Sequence, residues 1–112
     1  KVLHVEGGRH LHGGAYQVLQ LARGLVQRGH ESLFACPRGS EVAAAVPDGI
    51  ELHALPMHGD ADALIAVRLL RLLRETRPDL IHLHSRIGAD IWGAIAGRLA
   101  GVPVIHTRRV DN

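Results

Sequence analysis

The residues of this chain best suited to chemistry are histidines and arginines, and they fall in three short stretches. His10 and His12 lie in the run Glu-Gly-Gly-Arg-His-Leu-His-Gly-Gly-Ala at 6–15, His84 and Arg86 follow an apolar segment at 80–83, and His106, Arg108 and Arg109 close another at 103–106. Arginine gives bidentate, charge-assisted hydrogen bonds, and histidine donates or accepts near neutral pH, so the set suits a ligand with phosphates and hydroxyls. His10-x-His12 and His82-x-His84 have the spacing that puts two imidazoles on one side of an extended chain. No carboxylate or cysteine stands at a supporting distance along the sequence, so no metal is assigned, and His82 beside His4 reads as a satisfied buried histidine. His84, one step further out, is the better candidate for contact with a ligand. Ser-His-Asp and Cys-His arrangements, H-E-x-x-H and a lysine after the glycines are all missing, which sets aside nucleophilic triads and P-loop chemistry.

These stretches need elements to hold them. Val2-Leu3-His4-Val5 reads as a buried strand, and apolar residues at three-and-four spacing, Ala15, Val18, Leu19, Ala22, Leu25 and Val26, predict a helix from about 14 to 28, with Gly29 as its left-handed cap. Strands are predicted at 31–36, 50–55, 80–84 and 103–106. A short helix capped by Ser40 runs to 46, a longer one from Asp60 or Asp62 to about Thr76 buries Leu69, Leu70, Leu72 and Leu73, and a last one spans 89–100. Alternating strands and helices, with strands apolar on both sides, predict an open parallel sheet covered by helices on both faces. Right-handed crossovers then give an α/β, Rossmann-like strand order 3-2-1-4-5. In that order the loops after strands one, four and five share the carboxyl edge of the sheet. Gly13, Gly14, His84, His106 and Arg108 are expected to line one crevice there, with Gly13 and Gly14 allowing close approach of backbone to ligand or a positive φ.

Composition narrows the function. With 46% hydrophobic and 21% charged residues the 112-residue chain is an ordinary folded domain rather than a disordered one. Its net charge is only +2 and its aromatics only Tyr16, Phe34 and Trp92, so neither the charge nor the stacking platforms of a nucleic-acid binder are present. Cys36 is the sole cysteine and reads as a small buried hydrophobe. No apolar run approaches a membrane span, and the chain reads as cytoplasmic. Arg68, Arg71, Arg74 and Arg77 read as a solvated helix face, with contact to anionic lipid at the inner side of a membrane as the alternative.

Three stretches together resemble the amino-terminal domain of the retaining group 1 (family 4) glycosyltransferases of GT-B fold. They are Gly13-Gly14-Ala15-Tyr16-Gln17 with the following Leu21 to Glu31, then Arg77-Pro78-Asp79-Leu80-Ile81-His82-Leu83-His84-Ser85, and finally Gly101-Val102-Pro103-Val104-Ile105-His106-Thr107-Arg108-Arg109. The resemblance implies transfer of a sugar from a nucleotide-sugar donor to a hydroxyl acceptor, such as a lipid-linked or cell-envelope glycan, with retained anomeric configuration. It implies no metal and no cofactor beyond the donor as co-substrate. By position in the family's motifs, Gly13 and Gly14 would approach the donor phosphate and His106 the transferred sugar, as the catalytic residue. Arg108 and Arg109 would lie in the acceptor-side loop, and with His84 they form the substrate-binding set.

The family's paired glutamates belong to a second domain that residues 1–112 do not contain, so the chain reads as a partial amino-terminal domain, inactive by itself. An open fifth strand and the helix of Trp92 would then favour a homo-oligomer of the piece. Two other readings share the same pattern: a nucleotide-sugar epimerase of GT-B-like fold, and a stand-alone Rossmann-like module for a sugar phosphate or nucleotide.

Overall fold

Glycine, proline and serine mark where this chain changes from strand to helix, and the computed structural model describes residues 1–11, 13–58, 62–84 and 89–107. The elements are β1 (Val2–Val5), α1 (Gly13–Gln27), β2 (Ser32–Pro37), α2 (Glu41–Ala45), β3 (Glu51–Leu55), α3 (Leu64–Thr76), β4 (Leu80–Leu83), α4 (Ala89–Ala100) and β5 (Val104–His106). All pairings are parallel, and the sheet runs β3-β2-β1-β4-β5, the order predicted from the crossovers.

The period of two along each strand sorts side chains onto two faces. Leu3, Val5, Leu33, Ala35, Ile81 and Leu83 meet Ile65, Leu69, Leu72, Leu73 and Ala96, which come from α3 and α4. Phe34 and Cys36 point the other way, to Ala15, Val18, Leu19 and Ala22 of α1 and Val42 of α2. Burial pushes the Cys36 thiol up to about 11, so it stays neutral and behaves as the small hydrophobe expected. β5 departs from the expected pattern of strands covered on both sides, because Val104, Ile105 and His106 are all exposed.

Local chemistry explains the helix ends. Ser40 accepts from the Ala43 N–H at 3.1 Å and so caps α2. Gly29, at φ 91°, turns the chain after α1, and the His30 N–H reaches back to the Leu25 carbonyl at 2.9 Å. Two expectations need correction at α3. The helix opens at Leu64 rather than at 60 or 62, because the Asp62 carboxylate accepts from the backbone N–H groups of His58 and Leu64 and holds the chain in a turn. Arg68 is not part of a solvated stripe: it is half-buried, donating to the Pro56 carbonyl at 2.7 Å and to Asp62 at 3.1 Å.

Helix α4 lies close on β4 and β5. A Cβ at Gly97 would meet the Val104 side chain at 2.6 Å and Ile81 at 3.2 Å, and one at Gly93 would meet Leu83 at 2.6 Å. Glycine at these positions, one helical turn apart, sets the height of α4 over the sheet.

Candidate functional site

The site is built on the carboxyl edge, around the end of the central strand β1. There the chain leaves Val5 through Glu6, whose N–H donates to Ala35 of β2 and whose buried carboxylate accepts from the Gly8 N–H at 3.1 Å. The rest of the loop is tied to α2: the Glu41 N–H donates to the Arg9 carbonyl at 2.9 Å, and the Glu41 carboxylate takes the Leu11 N–H at 3.0 Å and faces His10 at 3.3 Å. Glu41 thus holds a loop that the sequence left without an anchor, and His10 is engaged with it rather than pointing alone into the rim. Gly13 and Gly14 form the first turn of α1. Of the two options raised by the paired glycines, Gly14 therefore uses right-handed helical backbone and not a positive φ. Among the described residues nothing lies within 4 Å of a Cβ placed on Gly13, so none of them covers that side of the first helical residue. Helix amino-termini offer unpaired N–H groups and the positive end of the dipole to an anion.

On the α1 side of the sheet stand three imidazoles. His4 of β1 pairs in register with His82 of β4, and His84 follows two residues on, on the same face. His4 is fully buried, stacks on Phe34 with ring centroids 6.2 Å apart, and places its Nδ1 3.2 Å from His84 Nε2. Burial, with a smaller contribution from His82, lowers the His4 pKa to about 4, so this ring is neutral at physiological pH. The His84 N–H donates to the Val5 carbonyl, which extends the β1–β4 pairing by one residue towards the edge. His82 Nε2 lies 2.6 Å from the Thr107 hydroxyl, linking β4 to the residue after β5.

His106 ends β5 opposite Leu83, and so it faces the α3 and α4 side of the sheet, while His84 and Thr107 face the α1 side. Its Nε2 pairs with the carboxylate of Asp90, a buried residue in the first turn of α4. Gly13, His84 and His106 therefore share one edge but not one face. His12, Arg86, Arg108 and Arg109 lie outside the described residues. Sequence reasoning passed over Glu6, Glu41, Asp90 and Thr107. For Asp90 the usable signal was an acid in the first turn of a helix that follows a strand, and for Glu6 the glycine two residues on that its carboxylate meets; Glu41 and Thr107 had none, since their partners are distant in sequence. Chemically, the edge combines N–H donors for an anion with a carboxylate-supported histidine for a polar group.

Residues 12–111 match the glycosyl transferase 4-like domain family. The GDP-mannose-dependent alpha-mannosyltransferase of Mycobacterium tuberculosis is 30% identical over 110 residues, covering 90% of this chain and 29% of that protein. Its namesake from Mycolicibacterium smegmatis is 31% identical over 110 residues, with the same coverage of 90% and 29%. The chain thus spans less than a third of the length of the curated relatives it matches. Among solved structures, MurG of Acinetobacter baumannii superposes with a TM-score of 0.75 at 19% identity, over 94% of this chain and 33% of that one. That likeness, with the strand order 3-2-1-4-5, gives the fold as that of a Rossmann-like GT-B amino-terminal domain. With the family match spanning nearly all of its residues, the chain belongs to the glycosyl transferase 4-like domain family.

Proposed function

We propose that this chain supplies the acceptor side and part of the donor-phosphate site of a retaining glycosyltransferase that moves a sugar from a nucleotide-sugar to a hydroxyl. The observation that carries the reading is the amino-terminus of α1, where Gly13 and Gly14 stand at the carboxyl end of the central strand and no described residue lies within 4 Å of a Cβ on Gly13. In open α/β sheets this is the switch point at which phosphorylated ligands collect. As the donor's glycosidic bond breaks, negative charge builds on the leaving diphosphate, and fixed N–H donors stabilise it without reorganising.

On this reading His106 hydrogen-bonds the transferred sugar, with Asp90 orienting its ring, and His84, Arg108 and Arg109 bind substrate on the acceptor side. The relatives' names make GDP-mannose the first donor to test. The acceptor is a hydroxyl, with lipid-linked and cell-envelope glycans as the first candidates, and the reaction is placed in the cytoplasm, at or near the membrane's inner face. Among the described residues no helix is long and apolar enough to cross a membrane.

The test is a transfer assay on the complete protein with GDP-mannose and with other nucleotide-sugars, following release of the nucleoside diphosphate and, by NMR, the anomeric configuration of the product. Release that depends on a hydroxyl acceptor, with retained configuration, supports the proposal. Turnover of the sugar at its own ring carbons without release of the diphosphate would replace it with the epimerase reading. Binding without turnover would replace it with a binding module.

A further inference from the structure

His4, His82 and His84 come from two neighbouring strands, and the parallel register leaves them no choice but to meet. His4 and His82 are paired positions, and residues two apart on a strand share a face, so His84 joins them one step nearer the edge. The ring centroids lie 5.9 Å apart for His4 and His82, 5.4 Å for His4 and His84, and 3.8 Å for His82 and His84. Each ring offers a nitrogen, and the three nitrogens all lie within 4.8 Å of one another. Two of the rings already have the spacing of bound ligands. Imidazole nitrogens at 2.0–2.1 Å from a tetrahedral ion stand about 3.4 Å apart, and His4 Nδ1 and His84 Nε2 are 3.2 Å apart.

His4 Nδ1 and His84 Nε2 also stand at hydrogen-bonding distance, so in the absence of an ion the two rings share a proton between these atoms. His4 is fully buried, and an apolar residue at position 4 would pack on Phe34 without the cost of burying an imidazole. The surroundings also match what metal sites require of the outer shell, in which a ligating histidine donates its other N–H to a fixed oxygen. His82 has such an oxygen in Thr107 Oγ1 at 2.6 Å, and donation from Nε2 leaves the lone pair on Nδ1.

We propose that His4, His82 and His84 bind one divalent late transition-metal ion of the zinc class, with a fourth position open to water or to an oxygen of a ligand at the carboxyl edge. The donor set is all imidazole. It selects zinc, cobalt, nickel or copper over magnesium and calcium, which prefer oxygen ligands. The site goes beyond the transferase reading and does not depend on it.

The experiment adds Zn²⁺ to the purified protein and follows the histidine ring nitrogens by ¹⁵N NMR, with a parallel titration by Co²⁺ read in the visible spectrum. One equivalent of Zn²⁺ is expected to shift the ring signals of His4, His82 and His84 and to leave those of His10, His30, His53, His58 and His106 in place. Co²⁺ is expected to give the visible bands of a four-coordinate ion, and Mg²⁺ and Ca²⁺ to leave the protein unchanged. His82→Asn should weaken Zn²⁺ binding at least about tenfold, in keeping with the loss of a ligand. His4→Phe should abolish it, and the unmodified protein supplies the decisive NMR reading should that variant not fold. No shift with excess Zn²⁺, shifts confined to the other histidines, or unchanged affinity in His82→Asn would each overturn the proposal.

Discussion

His106 at the end of β5 meets Asp90 in the first turn of α4 through its Nε2, with the carboxylate buried and the imidazole accessible. A buried carboxylate holding one ring nitrogen leaves the ring oriented and its exposed edge ready for a ligand. In the proposed reaction, His106→Ala should therefore lower kcat far more than it lowers stability. Asp90→Ala should lower kcat about 10- to 100-fold with KM nearly unchanged, and the double variant should lose no more than the worse single one, as residues acting as a unit do. Steady-state kinetics on the complete protein check this, and an unchanged kcat in His106→Ala removes the residue from the site.

Stability should depend on pH through His4. Its pKa is about 4 in the folded protein and 6.5 when unfolded, so below pH 6.5 the unfolded chain takes up a proton that the native chain refuses. Stability is then full above pH 6.5, falls as the pH drops towards 4, and loses about 3 kcal/mol over that window. Urea unfolding at pH 7, 5.5 and 4 measures the slope, and His4→Phe should flatten this part of it.

Gly97→Ala should destabilise the fold by about 1–3 kcal/mol, the usual cost of forcing a methyl group into a packed contact. The added carbon would sit 2.6 Å from Val104 and 3.2 Å from Ile81, and α4 would have to lift from the sheet. Because α4 carries Asp90, the same change should also weaken the His106 contact. Thermal unfolding reports the first effect and the His106 ring signals in NMR the second.

The 112-residue chain by itself should self-associate and turn over no nucleotide-sugar. Ile91, Ile95 and Leu99 stand exposed at four-residue spacing along α4, and in β5 Val104 is exposed on the α4 side of the sheet and Ile105 on the other. Apolar patches and open strand edges seek partners. Sedimentation at several concentrations should show mass rising with concentration, and Ile95→Glu with Leu99→Glu should return the chain to monomer. A strictly monomeric chain that releases diphosphate from GDP-mannose would refute both parts.

Duplex DNA should bind weakly and be released at moderate salt. The net charge is +2, and one of the arginines of α3, Arg68, is already committed to Pro56 and Asp62. Few phosphates can then be neutralised at once. Fluorescence anisotropy at two salt concentrations decides it, and salt-resistant binding would contradict the expectation.

Much of the architecture was legible in the amino-acid sequence because burial leaves a period. The strands could be read from apolar runs, α1 from its three-and-four spacing, and the order 3-2-1-4-5 from the handedness that twisted parallel strands impose on crossovers. Capping by Ser40 and Gly29 was equally local, since each acts on backbone within a few residues. The start of α3 was not legible, because the side chain of Asp62 competes with the helix for backbone N–H groups and the sequence does not say which wins.

The edge on which Gly13, His84 and His106 stand follows from topology, but the direction in which each side chain points does not. That depends on register, and a shift of one residue exchanges the faces of a strand. Only the tertiary structure turned His106 towards Asp90 and set His84 against His4. These partners lie 16 and 80 positions apart in the chain, and what unites them is the packing of α4 through Gly93 and Gly97 on β4 and β5 and the pairing of β1 with β4, neither of which leaves a mark in local sequence.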